Sequence, residues 1–337
     1  MNSISKKKPQ FKISPALRKY LKQYNREKNL PVSYHDLLKF EFSAHLCDKT
    51  GRDTLWETVI YSEENAIKFD AGLKLIYAML KTEGDTSGLE HLSVERVDYC
   101  TFGNSNPFRI RIINNLNDNY DYFYVKQPDA SRVYGLELEH ILSPNQITFL
   151  VDNNTLIEEH IAGIPGDQFI NVYLGSGHTN KIRLAKEFVK FNERCFIRLL
   201  GDMRSYNYVV EITPDFDDVQ YRIRAIDFDQ QSYEGKKTLY MPQFFKENNE
   251  LIQLCIKMMT PETVNQYQKE EHSFIARRLK AERQRIKDLL DVMNTDEISI
   301  PEKTEQLKKQ LALHYNNNQY LKCKSMGDIL SKSLKEL

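Results

Sequence analysis

The sequence has no long apolar run and no excess of charge of either sign. No stretch approaches the roughly 20 apolar residues needed to cross a bilayer, and no apolar segment of the kind found in secretory signals follows Met1. Lysine plus arginine and aspartate plus glutamate each number 47 among 337 residues, so net charge points neither to nucleic acid nor to membrane. We expect a cytoplasmic globular protein without a transmembrane segment or nucleic-acid partner, with non-classical secretion left open.

Cysteine and glycine are also scarce. The five cysteines are an odd number, widely spaced and without a C-x-x-C pair, which favours reduced structural thiols over disulfides or a metal centre. Only 13 residues are glycine, and no glycine-rich phosphate loop is present. A hydrophobic content of 41% is enough for a sizeable core. The length allows one two-lobed domain with additions, or two to three small domains.

Two short polar runs carry the most information about chemistry. Residues 201–207 read Gly-Asp-Met-Arg-Ser-Tyr-Asn after an apolar stretch, and residues 225–229 read Ala-Ile-Asp-Phe-Asp at the end of another. An aspartate followed five residues later by an asparagine can place a hydroxyl-orienting carboxylate, Asp202, beside an amide oxygen, that of Asn207, which holds a metal ion. A later strand-end aspartate, Asp227, closes such a metal site.

This pattern resembles the protein-kinase-like superfamily, and most closely its aminoglycoside phosphotransferase and choline kinase branch. The shared features are the Gly-Asp pair, the interval from Asp202 to Asn207 and the Ile-Asp-Phe-Asp ending at Asp229. The branch places a histidine on each side of this aspartate, and the present sequence has Leu200 and Arg204 instead. The resemblance implies that Arg204 directs positive charge at the transferring phosphoryl group.

Upstream segments follow in the order that the resemblance requires. The turn at 101–107, with Gly103, would cover phosphates, and Lys126 on a strand would contact the α and β phosphates of ATP. A helix over 130–142 offers Glu137 or Glu139 as the partner of Lys126, and we favour Glu137. Only one can face inward, because residues two apart on a helix point about 200° from each other. A hairpin then leads to a hinge in which the backbone from Glu159 to Ile161 would bind adenine.

The resemblance implies an α+β, two-lobed fold with a small antiparallel-sheet lobe and a larger, mainly helical lobe. The expected division is a helical extension at 1–90, the small lobe at 91–160, the large lobe at 161–290 and a helical tail at 291–337. The implied activity is transfer of the γ-phosphoryl group of ATP to a hydroxyl of a protein or small molecule. Mg²⁺ or Mn²⁺ would be held by Asn207, Asp227 and Asp229, and Asp202 would act as the base.

Other interpretations of the same residues remain open. Asp202 and Asn207 are also typical of helix caps and turns, and Asp227 and Asp229 of ordinary strand ends. Under these interpretations the chain would be a nucleotide-binding or protein-interacting scaffold of the pseudokinase type, or a purely helical interaction protein. A basic segment near the C-terminal end contains Arg277, Arg278, Lys280, Arg283, Arg285 and Lys287. It is most simply a solvated helix face, and the more specific alternative is a docking site for an anionic partner.

Overall fold

The fold is α+β, as the sequence predicted. The computed structural model describes residues 8–48, 50–101, 105–177, 179–216 and 218–337. The strands in those residues are β1 (Phe42–Cys47), β2 (Asp53–Ile60), β3 (Leu92–Cys100), β4 (Phe108–Asn114), β5 (Tyr120–Lys126), β6 (Phe149–Asp152), β7 (Thr155–Glu159), β8 (Ile164–Pro165), β9 (Tyr208–Asp215) and β10 (Asp218–Ala225). The α-helices there are α1 (Pro15–Gln23), α2 (Tyr34–Leu37), α3 (Glu63–Lys81), α4 (Ala130–Leu142), α5 (Gly166–Gln168), α6 (Lys181–Arg198), α7 (Asn249–Met258), α8 (Pro261–Ala281), α9 (Arg283–Met293), α10 (Pro301–His314) and α11 (Met326–Leu334).

These elements form two compact units. The first unit contains the described residues up to 12 together with 21–128 and 148–160, and the second contains 13–20, 129–147 and 161–337. The first unit is built on a sheet and the second is mainly helical. No helix in the described part of the chain is long and apolar enough to cross a membrane.

The first unit is an antiparallel sheet with the long helix α3 on one face and the short helix α2 packed into the same core. Within the described residues the sheet has seven strands in the order β1-β2-β3-β4-β5-β7-β6. Every second residue of β4 is buried, at Phe108, Ile110 and Ile112, because side chains alternate between the two faces of a strand. α3 covers that face with Phe69 and Leu73, which lie four residues apart on one side of the helix. One sheet face and one stripe of α3 therefore supply much of the core of this unit, and the segment around α2 adds Leu30, Val32, Tyr34 and Leu37.

The second unit is organised around α6 and the hairpin of β9 and β10. The buried residues of α6 include Leu184, Phe188, Phe191 and Cys195, which follow the three-to-four-residue spacing of a helix face. β8 pairs with β9 through Ile164 and Val210. The helices after residue 248 add further buried residues.

The linker preceding α5 lies against the polar run at 201–207. A Cβ atom built on Gly166 would lie 2.2 Å from the ring of Tyr208 and 2.4 Å from the carbonyl oxygen of Ser205. Only glycine fits at this distance, because other residues would need the neighbouring backbone to move. The Ile-Pro-Gly sequence thus supports the loop that contains Asp202 and Asn207.

The expected helical extension at 1–90 is corrected by the structure. Phe42–Cys47 and Asp53–Ile60 form β1 and β2, which extend the sheet of the first unit. Helical spacing in this part of the sequence is confined to residues near 17–24 and 71–79. The strand signal between them is weak because β1 is largely exposed, with Phe42 at 67% exposure. An exposed hairpin needs little apolar alternation, and sequence periodicity therefore fails to reveal it.

The two units exchange residues at several points along the chain, one of them between residues 160 and 161. The expected division into small and large lobe at that point stays a prediction. No division occurs at residue 90, since 21–128 belongs to one unit, and α4 groups with the second unit and not with the sheet. The tail at 291–337 also belongs to the second unit. Contacts of α11 with α9 and α6 account for this grouping.

Candidate active site

Asp202 lies in an irregular segment that begins where α6 ends. Leu199 stops the helix in the left-handed conformation, with φ of 54°, and Asp202 itself has φ of 59°. The amide of Asp202 donates to the carbonyl of Leu239 at 2.9 Å, and that of Gly201 to Gln230 at 3.3 Å. A non-glycine residue with positive φ is uncommon and persists only where surrounding contacts hold it. The backbone around Asp202 is therefore fixed by two flanking segments.

The Asp202 carboxylate takes part in a chain of charges. Arg204 Nε donates to Asp202 Oδ1 at 2.8 Å, and Arg204 Nη1 donates to Glu247 Oε1 at 3.0 Å. Burial raises the pKa of the Asp202 carboxyl above its ordinary value. The hydrogen bond and charge of Arg204 oppose that rise, and the charges of Asp227 and Glu234 add to it. Burial and neighbouring carboxylates thus make Asp202 a stronger base than an exposed aspartate.

Asn207 links the two polar runs that the sequence analysis singled out. Its side-chain amide donates to the carbonyl of Asp202 at 2.7 Å, and its own carbonyl accepts from the amide of Ile226 at 3.0 Å. Asn207 is buried and lies at the end of a single 3₁₀ turn. The structure therefore brings Asp202, Asn207 and Asp227 together. The Asp202 side chain accepts a hydrogen bond from Arg204, whereas the side chain of a helix N-cap accepts from a backbone amide of the first turn.

Asp227 and Asp229 share a cation that the sequence analysis missed. Arg132, in the first turn of α4, donates from Nη2 to Asp227 Oδ1 and from Nε to Asp229 Oδ1, each at 2.6 Å. The arginine side chain is 4% exposed, whereas those of Asp227 and Asp229 are 34% and 21% exposed. The amide of Asp229 also donates to Asp227 Oδ1 at 3.1 Å, which forms an Asx-type turn. No spacing rule connects residues 95 positions apart, so sequence reasoning had no signal for this contact.

The carboxylate partner expected for Lys126 is also corrected. Lys126 Nζ donates to Glu158 Oε2 at 2.7 Å, and both side chains are buried. The register of β5 with β7 pairs Lys126 with Leu156 and Tyr124 with Glu158, so Lys126 and Glu158 are diagonal neighbours on one sheet face. The Tyr124 ring lies beside the ammonium, 5.4 Å from Nζ. Two-residue periodicity assigns each residue to a face of its own strand, but only the register of β5 with β7 makes Lys126 and Glu158 neighbours.

The two glutamates of α4 have other partners. Glu137 accepts from Tyr20 Oη at 2.7 Å and from Arg285 at 2.6 to 2.7 Å. Glu139 pairs with Arg198. Both glutamates are buried on a helix that is buried on nearly every side. The assumption that only one of them faces inward was wrong, because α4 has no solvent-exposed face on which the other could lie.

Three further residues, Gly103, Glu159 and Ile161, were expected to contact the nucleotide. Gly103 lies outside the described residues. The main-chain amide of Glu159 donates to the carbonyl of Thr148 at 3.1 Å, and its side chain accepts from the amide of Thr148 at 2.8 Å. Ile161 is buried, at 6% exposure. The amide of Glu159 is therefore already used within the sheet and is a poorer donor for adenine than the hinge hypothesis required.

The basic segment is divided between two helices. α8 and α9 meet at Glu282, where the backbone leaves the helical conformation. Arg278 donates to the carbonyl of Ile141 at 2.6 Å, and Arg285 pairs with Glu137. The four other cations are exposed: Arg277, Lys280, Arg283 and Lys287. An anionic partner at this segment stays a prediction, and it would contact fewer charges than the sequence indicated.

The aspartates at the hairpin tip have a local role. Asp218 accepts from Asn180 at 2.7 Å, and Arg183 lies within 3.2 Å of Asp218 and 3.6 Å of Asp215. The backbone hydrogen bond from Val219 lowers the pKa of Asp218. These contacts explain the acidic tip as a turn fastened to the start of α6.

No protein-family model matches the chain, and no curated protein matches it. The candidate site therefore rests on its own residues.

Proposed function

We propose that the chain is an ATP-dependent phosphotransferase that moves the γ-phosphoryl group to a hydroxyl of a protein or small-molecule acceptor. The observation that carries this proposal is the convergence of Asp202, Asn207 and Asp227. Asn207 contacts the backbone of both polar runs, and the charge of Asp227 acts on Asp202. In phosphoryl transfer the protein mainly supplies position and charge. Two aspartates and an asparagine can orient the acceptor hydroxyl and hold a metal ion on the phosphates.

The donor set fits a divalent metal. Asp227 and Asp229 already converge on one cation, Arg132, and carboxylate and amide oxygens are the ligands that Mg²⁺ and Mn²⁺ prefer. Asn207 donates from its amide nitrogen to the carbonyl of Asp202, and its amide oxygen would be the atom offered to the metal. When bound, the metal neutralises charge on the β and γ phosphates of ATP.

The residues of the chain then have separate tasks. Asp202 orients the acceptor hydroxyl and takes its proton, a role for which a raised pKa is favourable. Arg204, which is held by Asp202 and Glu247, stabilises negative charge that develops during transfer. Within the first unit, Lys126 offers an ammonium for phosphate, and Glu158 takes the place of a helix glutamate in holding it.

A second candidate function is a scaffold of the pseudokinase type. It is favoured by the fact that each proposed catalytic charge already has an ionic partner within the protein: Asp202 with Arg204, Asp227 with Arg132, and Lys126 with Glu158. Such pairing keeps the charges satisfied without any ligand. This scaffold would bind nucleotide without turnover, or bind none.

Thermal stabilisation by ATP or ADP tests whether the protein binds nucleotide at the proposed site. The measurement uses the full chain with Mg²⁺, with Mn²⁺ and with EDTA, beside Asp227→Ala and the control Asp291→Ala, which removes an exposed carboxylate of α9. We expect a metal-dependent shift that Asp227→Ala abolishes and Asp291→Ala retains. The absence of a shift in the wild-type protein would reject nucleotide binding.

Turnover is tested with Asp202→Asn. This variant should retain the nucleotide-dependent shift and lose at least about a hundredfold in the rate of ATP consumption, the usual scale for a general base. Full turnover in Asp202→Asn would reject Asp202 as the base. Nucleotide binding without turnover in the wild-type protein, with every candidate acceptor, would favour the scaffold.

A further inference from the structure

Arg132 is fixed in place by the packing of α4 on the segment that carries Asp227 and Asp229. Its amide donates to Asp129, the N-cap residue of α4, at 3.2 Å. The neighbouring Ser131 donates from Oγ to the carbonyl of Gln231 at 2.5 Å. One turn later, a Cβ atom on Gly135 would lie only 3.0 Å from the Phe228 side chain. The arginine is therefore held against the aspartate pair by contacts on both sides of it.

The guanidinium meets both carboxylates at once. It uses Nε for Asp229 and Nη2 for Asp227, each at 2.6 Å, and this forked geometry is specific to arginine. Two carboxylates held this close repel each other unless a cation lies between them. In this structure the arginine supplies the positive charge that a divalent metal would otherwise supply.

We infer that Arg132 is a built-in counter-cation that competes with divalent metal for Asp227 and Asp229. The inference rests on the metal site of the proposed function. A metal ion on the Asp227 carboxylate would lie within a few ångströms of the guanidinium, and like charges at such a distance repel strongly in a partly buried site. Metal loading would then require the guanidinium to give up its contacts with these two carboxylates. Arg132 thereby sets the metal concentration at which the site fills.

Direct titration with Mn²⁺ in the absence of nucleotide tests this inference. Calorimetry, or the electron paramagnetic resonance signal of free Mn²⁺, gives the dissociation constant without any assay of activity. The variants are Arg132→Gln, which removes the charge, and Arg132→Lys, which keeps a charge but loses the fork. We expect Arg132→Gln to bind Mn²⁺ at least about tenfold more tightly than the wild type, and Arg132→Lys to lie between them. Adding Asp227→Ala should abolish binding in each background.

The outcomes separate this inference from the proposed function. Equal or weaker binding by a folded Arg132→Gln, with wild-type binding that depends on Asp227, would overturn the inference and leave the proposed metal site intact. If neither the wild type nor the folded Arg132→Gln variant binds Mn²⁺, both the inference and the proposed metal site are overturned. Binding by Arg132→Gln alone would support both. If Arg132→Gln does not fold, Arg132→Lys decides: tighter binding than wild type supports competition, and equal or weaker binding rejects it.

Discussion

Glu158 and Lys126 form a buried ion pair whose disruption should measurably destabilise the protein. The two side chains are 5% and 8% exposed, and their charged atoms are 2.7 Å apart. Glu158→Gln removes the negative charge and keeps the shape of the side chain. The ammonium of Lys126 then stays in the sheet with an amide oxygen as its substitute partner.

The expected loss follows from burial. Removing one partner of a buried ion pair costs about 3–5 kcal/mol, because the other charge is left uncompensated away from water. Since the glutamine oxygen still accepts a hydrogen bond, we expect a loss near the lower limit, about 3 kcal/mol.

Urea unfolding followed by circular dichroism and tyrosine fluorescence measures this loss. The matched control is Glu95→Gln on β3 of the same sheet, where Glu95 lies 2.8 Å from Arg111 but is 38% exposed. That change should cost less than about 1 kcal/mol, as is usual for exposed pairs. A double variant, Lys126→Met with Glu158→Leu, should recover most of the lost stability. Equal losses for Glu158→Gln and Glu95→Gln would refute the reasoning from burial.

Three further predictions concern the second unit. Gly166→Ala should lower the melting temperature by several degrees, because its methyl group would overlap the Tyr208 ring; an unchanged melting temperature would contradict this. Glu137→Gln should cost about 3 kcal/mol in urea unfolding, because Arg285 loses a fully buried carboxylate, and a loss below 1 kcal/mol would contradict this. Burial raises the pKa of Asp202 in the folded protein, so the folded state binds this proton more tightly than the unfolded state does. The resulting stabilisation is complete below the pKa of the unfolded state and is lost as pH rises through the pKa of the folded state. Asp202→Asn should therefore flatten the fall in stability above about pH 4, and an unchanged pH profile would contradict it.

Local patterns determined much of the fold in advance. The helix expected over 130–142 is α4, with the same bounds, and the strand expected to contain Lys126 is β5. The α+β class is confirmed. These elements are predictable because side-chain alternation, helical spacing and turn residues act over fewer than about ten positions. The hairpin of β1 and β2 was missed because β1 is exposed along most of its length and lacks that alternation.

The candidate site was predictable only as a set of residues. The sequence singled out Asp202, Asn207 and Asp227, and the structure brings them together. Asp202 and Asn207 lie five positions apart in one short segment, and Asp227 follows the end of a strand, so their local spacing was visible in the sequence. The sequence also indicated a cation near Asp202, and Arg204 lies 2.8 Å from it.

Tertiary structure alone decided which charges meet. Lys126 pairs with Glu158 because β7 lies beside β5 in a particular register, and a shift of one residue would turn Glu158 to the opposite face. Arg132 reaches Asp227 and Asp229 because α4 packs on the segment that follows β10. Ion pairs between distant segments depend on register and helix packing, which are set by the whole core and leave no mark in the spacing of either partner.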